Sequence, residues 1–526
     1  MSNEDKSGVN RRQFVLGSTA AAGTLFLGGF APAFARSGKH RPTTPYGVMS
    51  GDITQGEAVV WSRSDKPAQM WVDVATNPEF NNSVTVQGPN AISNSDFTSK
   101  LNLTGLPSGQ TVHYRIRYQS LEDWQTWGEP AVGSFATPPA VRTDIRFLWS
   151  GDTAGQGWGI NEEWGGMRIY ETMRQTKPDF FIHCGDTIYA DGPMKAEVDM
   201  GNGEVWKNVM TEEKSKVAET LKEFRGNFAY NLMDKNVRAF NAEVPMIVQW
   251  DDHETVNNWY PAEVLNDPRF QNESSVALLS ARAREAFFEY SPIRRSVADP
   301  QRIYRKFHYG PSLDVFAIDM RSYRADNGKN DQIEPSQATQ FLGKQQLRWL
   351  KQQLLASNAT WKVIASDMPV GMVVYDDWKT KSTFENLANG DGAPKGRELE
   401  IVELLSFIKI NNIQNVVWLT ADVHYTAAHY YDPNEAQYQD FLPFYEFVSG
   451  PLNAGTFGPN DMDNTFGPQV LFSKHPEGGK VNLPPSAGLQ FFGQVDIDGE
   501  SEAMTVTLKD LVGSSLYSLT LEPKKS

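Results

Sequence analysis

Acidic residues and histidines follow several apolar segments, at points where buried strands are expected to end. The clearest case is Trp250-Asp251-Asp252-His253-Glu254, which follows an apolar run. Three further apolar runs lead to Asp152, Asp186 and Asp422, with His424 two residues after the last. In sheets flanked by helices, side chains at the carboxyl ends of strands line the ligand crevice. The pattern therefore predicts that four strands bring these residues to one sheet edge, and a metal centre is the simplest explanation for it.

These residue types are the parts that a dinuclear phosphoesterase needs. Such an enzyme uses a carboxylate that bridges two ions, further carboxylate and imidazole ligands, and an open position for water. The ions lower the pKa of water and hold the phosphate, while a nearby histidine stabilises or protonates the leaving oxygen. Asp152, Asp186, Asp252, His253 and the pair around Asp422 could supply all of these functions.

The overall composition limits the class of partner. A chain of 526 residues is expected to contain at least two domains. Its formal net charge of −15 argues against a general binder of nucleic acids or anionic membranes. A site for phosphate in so acidic a protein needs local positive charge, which metal ions or a few arginines can provide.

Residues 1–35 have the pattern of a twin-arginine export signal. Arg11-Arg12-Gln13-Phe14-Val15 is followed by an apolar stretch to Phe30, and Ala33-Phe34-Ala35 fits the small-x-small cleavage rule. We therefore expect recognition by the twin-arginine export machinery, a periplasmic or secreted location, and no stable membrane span in the mature protein. An uncleaved anchor is the alternative, although the run is short and rich in glycine. The single cysteine, Cys184, excludes an intramolecular disulfide.

The first part of the mature chain, residues 44–138, consists of short alternating segments separated by turn signals. Residues 112–118 alternate with a period of two, and Leu106-Pro107-Ser108-Gly109 precedes them as a turn. This spacing is typical of a small β-sandwich. The turn and the Tyr-x-x-x-Tyr strand after it resemble fibronectin type III-like domains. We find no catalytic cluster in this part of the sequence.

Residues 142–522 change to a rhythm of strand, loop and helix. The periodicity predicts helices over 166–176, 275–290, 343–356 and 395–410, and apolar strands over 313–318 and 361–365. Alternating strands and helices indicate an α/β layered domain. Residues 489–521 return to strand alternation and are expected to complete the sheet.

The motifs resemble, in order and placement, those of calcineurin-like metallophosphoesterases, including the purple acid phosphatases. Over nearly the full length, the chain is similar to PhoD-type alkaline phosphatases. The matching motifs are Tyr46-Gly47-Val48-Met49-Ser50-Gly51-Asp52, Val60-Trp61-Ser62-Arg63, Gly185-Asp186-x-x-Tyr189, Glu223-Phe224-Arg225, Trp250-Asp251-Asp252-His253-Glu254 with Asn257-Asn258, Ile318-Asp319-Met320-Arg321-Ser322-Tyr323-Arg324, Leu342-Gly343-x-x-Gln346-x-x-Trp349-Leu350 and Asp422-Val423-His424. The resemblance implies an α/β fold with calcineurin-like layered β-sheets flanked by helices, preceded by a small all-β sandwich domain.

The resemblance also implies the metals and their ligands. The implied ligands are Asp152, Asp186, Tyr189, Asp252, Asn258, Asp422 and His424. Asp186 would bridge a ferric ion and a second ion, which is calcium or another divalent metal. Asp152, Tyr189 and His424 would complete the ferric site, because a phenolate and carboxylates are hard ligands suited to a trivalent ion. Asp252 and Asp422 would hold the divalent ion through oxygen atoms, which suits calcium.

Two catalytic roles follow from the same resemblance. His253 would lie over the leaving group, and Arg225 would clamp the phosphate, because a guanidinium can engage two oxygens at once. The sequence departs from well-known members at two places, where Asp152 replaces a cysteine and Phe224 replaces a tyrosine. A carboxylate in place of a thiolate makes the first metal site harder and could change the metal that it selects.

Several acidic and basic residues near the motifs have structural interpretations. Asp319, Arg321 and Arg324 fit a buried salt-bridge network better than direct catalysis. His183 lies inside a strand and is expected to be a core residue or to support the ligands. Glu254 could equally orient His253 or cap a loop.

The resulting hypothesis is an exported alkaline phosphatase that hydrolyses phosphoric esters with metal-activated water. One alternative is a phosphodiesterase with phospholipase D-like action on lipids or polymers. The other is a non-catalytic envelope-binding protein with a structural metal. His253 argues against the last hypothesis, because a structural site does not need a proton donor at an open edge.

Overall fold

Two large β-sheets pack face to face at the centre of the protein, and helices cover their outer surfaces. This arrangement is seen in a computed structural model that describes residues 40–524. The predicted export signal, residues 1–35, lies outside the described residues. Within the described part of the chain, no helix combines the length and the apolar character needed to cross a membrane.

Strands outnumber α-helices among the described residues. The strands of the first part are β1 (Val48–Thr54), β2 (Glu57–Arg63), β3 (Ala68–Ala75), β4 (Val84–Ala91), β5 (Thr98–Thr104), β6 (Thr111–Ser120) and β7 (Ala131–Ala136). Those of the middle part are β8 (Ile145–Ser150), β9 (Phe180–Cys184), β10 (Glu197–Asp199), β11 (Val205–Lys207), β12 (Met246–Gln249), β13 (Arg305–Tyr309), β14 (Leu313–Ala317) and β15 (Trp361–Ala365). The last strands are β16 (Val416–Thr420), β17 (Thr426–Tyr431), β18 (Phe444–Val448), β19 (Pro468–Lys474), β20 (Phe491–Ile497), β21 (Met504–Asp510) and β22 (Ser515–Leu521). The α-helices are α1 (Arg168–Gln175), α2 (Leu221–Asn231), α3 (Lys235–Glu243), α4 (Val276–Tyr290), α5 (Gly343–Leu355) and α6 (Glu398–Ile410).

The first sheet has nine strands in the order β22-β21-β20-β8-β9-β12-β1-β2-β5, and the second has seven in the order β13-β14-β15-β16-β18-β17-β19. Strands β8, β9 and β12 run parallel in the first sheet, as do β14, β15, β16 and β18 in the second. All five residues of β9 are buried. Apolar runs without alternation are expected for strands that are covered on both faces.

Three hydrophobic cores account for the layers. Between the sheets, residues such as Phe147 and Ile182 of the first sheet share one core with Val315 and Leu419 of the second. A second core lies between the first sheet and helices α1 to α4, and a third lies between the second sheet and helices α5 and α6. The predicted fold, layered sheets flanked by helices with a further all-β part, is confirmed.

The strands of residues 44–138 divide between two sheets. Strands β3, β4, β6 and β7 form a separate four-stranded sheet, whereas β1, β2 and β5 extend the nine-stranded sheet beside β12. Strand β1 comes close to β12 at Gly51, where an added Cβ would lie 2.5 Å from the carbonyl oxygen of Met246. Only glycine allows the two backbones to approach in this way.

The four helices predicted from periodicity are confirmed with bounds that differ by at most a few residues. Helices α2 and α3 were not predicted. Both begin with clear sequence signals. Thr220 and Glu223 form a capping box at the start of α2, and Asp234 accepts hydrogen bonds from the backbone N–H groups of Asn236 and Val237 at the start of α3.

Candidate metal centre

The four predicted strand ends meet at one edge of the layered sheets. Strands β8, β9, β12 and β16 end at Ser150, Cys184, Gln249 and Thr420, and an aspartate follows each end by two or three residues. The first three strands belong to the nine-stranded sheet and β16 belongs to the seven-stranded sheet. The site is therefore assembled between the two sheets, at the carboxyl ends of parallel strands.

A left-handed backbone conformation aims several of these side chains. The φ angles are +62° at Asp152, +52° at Asp186, +59° at Asn258, +66° at Asp422 and +59° at His424. Asparagine and aspartate adopt this conformation more readily than most residues, because their short polar side chains can bond locally. Such conformations cost free energy and cluster at functional sites. Five left-handed residues at one sheet edge therefore indicate that the backbone there is shaped to direct these side chains towards a common site.

Three overlapping groups of side chains could each hold a metal ion. Their ligand atoms lie within 4.8 Å of one another, and the groups are Asp152, Asp186 and His424; Asp186, Asp252 and His253; and Asp251, Asp252 and Asp422. We call Asp152, Asp186, Asp252, Asp422 and His424 the ligand cluster. Asp186 and Asp252 each belong to two of the groups, and Asp186 joins the group of Asp152 and His424 to that of Asp252, which is the placement expected of a carboxylate between two ions.

The surroundings of the Asp152 carboxylate show whether this cluster is suited to binding cations. Both of its carboxylate oxygens are buried, and neither has a hydrogen-bond partner within the described residues. Burial raises the pKa of Asp152 well above its ordinary value, and the negative charge of Asp251 raises it further. Burial followed by the charge of Asp252 has the same effect on the pKa of Asp186. A buried carboxylate without a partner is costly, and a bound cation removes that cost. The residues present therefore fit metal ions.

Tyr189 and His424 lie together beside Asp152. The Tyr189 hydroxyl donates to Nε2 of His424 at 2.9 Å, while Nδ1–H of His424 donates to the carbonyl oxygen of Gly455. Burial lowers the pKa of His424 to about 4, so its ring stays neutral. The Gly455 contact holds the tautomer whose Nε2 lone pair faces the cluster, as expected of a metal-binding histidine. The loop that contains Gly455 could not be assigned from the sequence.

His253 has the environment of a proton donor. Its Nδ1–H donates to Asp191 at 2.7 Å, and its ring lies 4.3 Å from the ring of Tyr189. Burial lowers the pKa of His253, but the negative charges of Asp191 and Asp252 outweigh burial and raise the pKa to about 10. Asp191 was not predicted as a site residue. It stands two residues after Tyr189 in the same motif, and this position was the available signal.

Glu254 caps the loops rather than orienting His253. Its carboxylate accepts the backbone N–H groups of Asp186 at 3.1 Å, Thr187 at 2.6 Å and Asp251 at 2.7 Å. These contacts join the loop after β9 to the loop after β12. Of the two roles left open by the sequence, loop capping agrees with the structure.

A buried charge network lies next to the ligand cluster. Its members differ in part from those predicted. Arg321 is fully buried and contacts Asp251 at 2.6 Å, Glu385 at 2.5 Å and Asp367 at 3.6 Å. Asp319 is not part of this network, since it accepts hydrogen bonds from Trp250 and from backbone N–H groups of its own loop. Arg324 donates to Asn327 and to the carbonyl oxygen of Glu385.

His183 is a buried supporting residue, as the sequence predicted. Its Nε2 lies 2.7 Å from the Thr153 hydroxyl, which also contacts Tyr170. Burial lowers the pKa of His183 to about 3. The neutral ring thus helps to fix the loop that follows Asp152.

The structure does not bring Arg225 to the ligand cluster. Its guanidinium contacts both carboxylate oxygens of Glu289 at 2.6 Å and the carbonyl oxygen of Asn94 at 2.7 Å. The phosphate-clamp role predicted for Arg225 does not agree with this placement, because its charge is neutralised elsewhere. Asn258 does reach the cluster. Its backbone N–H donates to Asp252 at 2.6 Å, and its side-chain nitrogen donates to Asp376 at 3.2 Å.

Comparison with known proteins identifies the family. A family model described as PhoD-like phosphatase matches residues 147–508, and one described as PhoD-like phosphatase, N-terminal domain, matches residues 29–139. The chain belongs to the PhoD-like phosphatase family. This membership confirms the predicted enzyme class, a hydrolase that acts on phosphoric ester bonds.

Individual relatives of this PhoD-like chain agree with the assignment. It is 28% identical over 488 residues to alkaline phosphatase D of Bacillus subtilis (strain 168), covering 87% of this chain and 78% of that protein. A solved structure of PhoD is similar in fold with a TM-score of 0.70 at 21% identity, covering 93% of this chain and 92% of the other. A purple acid phosphatase from yellow lupin (Lupinus luteus) seeds has a TM-score of 0.56 at 11% identity, covering 92% and 74%.

Proposed function

We propose that this chain hydrolyses phosphoric monoesters as an alkaline phosphatase, with two metal ions held by the ligand cluster. The observation that carries the proposal is the position of Asp186, whose carboxylate belongs to two neighbouring groups of ligands. A carboxylate between two sites allows two ions to act on one phosphate group. The fold and the relative from Bacillus subtilis support the same function.

The proposed ligands divide by chemistry. Asp152, Tyr189 and His424 with the shared Asp186 suit a ferric ion, because phenolate and carboxylate are hard anionic ligands. Asp252, Asp422 and Asn258 offer oxygen atoms suited to calcium or another divalent ion. Bound ions would supply Lewis acidity that activates water and positive charge that offsets the phosphate.

His253 and Asp191 supply the proton transfer in this proposal. With Nδ1–H held by Asp191, the Nε2 edge of His253 remains for the substrate, and the raised pKa keeps the ring protonated. A protonated imidazole can donate to the leaving oxygen as the phosphorus–oxygen bond breaks. Asp191 acts only through His253 and is a positioning residue.

Metal analysis of the purified protein, together with its visible spectrum, tests the proposed centre. We expect iron, calcium and a tyrosinate charge-transfer band that Tyr189→Phe abolishes. Tyr170→Phe is the matched control, because Tyr170 is equally buried but contacts Thr153 rather than the cluster. A colourless protein without iron would contradict the ferric assignment.

Hydrolysis assays test the ester class. We expect 4-nitrophenyl phosphate to be hydrolysed with a higher kcat/KM than bis(4-nitrophenyl) phosphate, with activity lost in His253→Ala. The reverse preference would establish the phosphodiesterase alternative. Loss of neither activity in His253→Ala would remove that residue from the mechanism.

Export through the twin-arginine pathway is part of the same proposal and rests on residues 1–35. Replacing Arg11 and Arg12 by lysine should retain the full-length protein inside the producing cell. Normal export of that variant would contradict the proposed route.

A further inference from the structure

A hairpin stands beside the ligand cluster and has no role in the chemistry described so far. It comprises residues 374–385, which we call the rim hairpin. Tyr375 pairs with Phe384 across it, and the backbone N–H of Asp376 donates to the carbonyl oxygen of Thr383 at 3.0 Å. At its base, the backbone N–H of Glu385 donates to the carbonyl oxygen of Val374 at 2.9 Å. These bonds define two paired arms and a tip at residues 377–382.

Both arms of the rim hairpin are fixed to the metal centre. On one arm, Asp376 accepts from the Asn258 side chain at 3.2 Å, and the backbone N–H of Asn258 donates to the ligand Asp252. On the other arm, Glu385 pairs with Arg321, which pairs with Asp251. The hairpin is therefore continuous with the site, and Trp378 lies two residues beyond Asp376, the point where the first arm is attached.

The hairpin carries exposed aromatic surface. Trp378 at the tip is 55% exposed. Its ring lies 5.4 Å from that of Tyr375, which in turn lies 5.3 Å from Phe384. The Lys381 ammonium lies 5.1 Å from the centre of the Tyr375 ring, and Lys379 and Lys381 are both exposed. An indole that is in edge-to-face contact with Tyr375 and more than half exposed is suited to stacking with a planar group.

We propose that the rim hairpin is a substrate subsite, in which Trp378 stacks on a planar aromatic group carried by the phosphate ester. The inference rests on the proposed function, because the phosphoryl group is taken to lie at the ligand cluster. An aryl ring and a nucleobase share the chemistry that such a surface recognises. Lys379 and Lys381 are exposed cations in the hairpin that offset the charges of Asp376 and Asp377, which reduces the repulsion of an anionic ester.

Binding of phosphonates to the metal-loaded enzyme isolates the subsite from the hydrolytic step. Phenylphosphonate and methylphosphonate carry the same charged group and differ in the aromatic ring, and neither has an ester leaving group. We expect calorimetry to show tighter binding of phenylphosphonate. Trp378→Ala should weaken it about three- to tenfold, in line with typical aromatic pair energies, and leave methylphosphonate unchanged. Trp378→Phe should retain most of the difference.

Trp124→Ala is the matched control. Trp124 is also exposed, at 72%, but it lies between β6 and β7 of the four-stranded sheet, which carries none of the ligand cluster. It should change neither affinity. The 5′-methylenephosphonate analogue of adenosine monophosphate, which also has no ester leaving group, distinguishes the two sources of the aromatic group. A larger loss for this probe than for phenylphosphonate in Trp378→Ala identifies a nucleoside, and a loss for phenylphosphonate alone identifies a smaller aryl group.

Two results would overturn the inference. If both phosphonates bind equally well, or lose affinity equally in Trp378→Ala, the hairpin has no aromatic subsite while phosphoryl binding at the cluster stands. If neither phosphonate binds the metal-loaded protein but 4-nitrophenyl phosphate is hydrolysed, the subsite is overturned and the proposed function stands; if neither binding nor hydrolysis is seen, both are overturned.

Discussion

At the scale of single residues, the buried carboxylates of the ligand cluster are a cost to the metal-free chain. Asp152 has no hydrogen-bond partner for either oxygen within the described residues, whereas Asp251 is paired with Arg321 at 2.6 Å. The same chemical group is therefore destabilising at one position and stabilising at the other. The difference depends on whether a positive charge lies beside it.

This difference predicts opposite effects of two isosteric substitutions. In the presence of a chelator at pH 8, Asp152→Asn should raise the free energy of unfolding by about 1–3 kcal/mol, because an uncharged amide replaces a buried carboxylate without a partner. Asp251→Asn should lower it, because Arg321 loses one of its two close carboxylate partners. Urea unfolding measures both. A lower stability for Asp152→Asn would show that the isolated carboxylate is not costly. The metal content of the Asp152→Asn protein should fall whether its stability rises or falls.

A second residue-scale prediction concerns Asp191. Without this carboxylate the pKa of His253 should fall, so Asp191→Asn should move the alkaline limb of the pH–rate profile to lower pH. We expect kcat to decrease by about 10- to 100-fold with metal content unchanged. Asp440→Asn, which breaks an exposed pair with Lys409 on helix α6, is the control. An unshifted alkaline limb would leave Asp191 with a purely structural role.

Single residues also show where the sequence was informative. Asp152, Asp186, Asp252 and Asp422 follow apolar strands, and parallel strands bring their ends together, so position in the sequence predicts position in space. Arg225 lies on a helix that was not predicted, and its partner Glu289 is distant in sequence. Nothing local could therefore show that its charge is satisfied elsewhere.

At the scale of elements, helix α6 begins with a buried acid. Glu398 accepts the backbone N–H of Lys395 and the side chain of Asn389, both at 3.0 Å. Burial, with the nearby charge of Asp463, raises the pKa of Glu398 to about 9. A raised carboxyl pKa means that the unfolded chain loses its proton first. The contribution of Glu398 to stability therefore declines as pH rises from its ordinary pKa of 4.5 towards 9.

Removing this charge should make the protein more stable in alkaline solution. We expect Glu398→Gln to raise the free energy of unfolding by about 1–3 kcal/mol at pH 8 and to have little effect at pH 4. Denaturant titration at the two pH values measures this. Glu403→Gln, at a side chain 57% exposed on the same helix, should be nearly neutral at both. A gain that does not depend on pH would rule out the titration of Glu398 as its cause.

The elements differ in how readily the sequence predicts them. Helix α4 repeats buried apolar residues at spacings of three and four over fifteen residues, from Val276 and Leu279 to Phe287, and was predicted by periodicity. Helices α2 and α3 are shorter, and their signals lie in the caps at Thr220 and Asp234 rather than in a long pattern. Capping is a local interaction of two or three residues, so a search for helical period alone misses it.

At the scale of the whole molecule, the first strands are built into the central sheet. Strand β1 approaches β12 at Gly51, where a Cβ would meet two backbone oxygens, those of Met246 at 2.5 Å and Pro292 at 2.8 Å. The sequence predicted short alternating strands in residues 44–138 but did not show that β1 pairs with a strand almost two hundred residues later. Pairing between distant segments depends on tertiary packing, which no local pattern encodes.

The close approach predicts a large effect from a small substitution. Gly51→Ala should lower the free energy of unfolding by about 1–3 kcal/mol, because backbone atoms cannot move aside as a flexible side chain does. Gly328→Ala is the control, since no atom lies within 4 Å of its added Cβ. Thermal unfolding followed by calorimetry measures both, and equal melting temperatures for the two variants would contradict the account.

The assembly of the site from two sheets has a consequence for the lifetime of the protein. Asp152, Asp186 and Asp252 come from the nine-stranded sheet, and Asp422 and His424 come from the seven-stranded sheet. Metal ions bound by ligands from both sheets would link the two layers, which are otherwise held together by the hydrophobic core between them. Resistance to proteases should then follow the supply of metal. In an environment poor in metal, the enzyme would be lost by degradation as well as by inactivity.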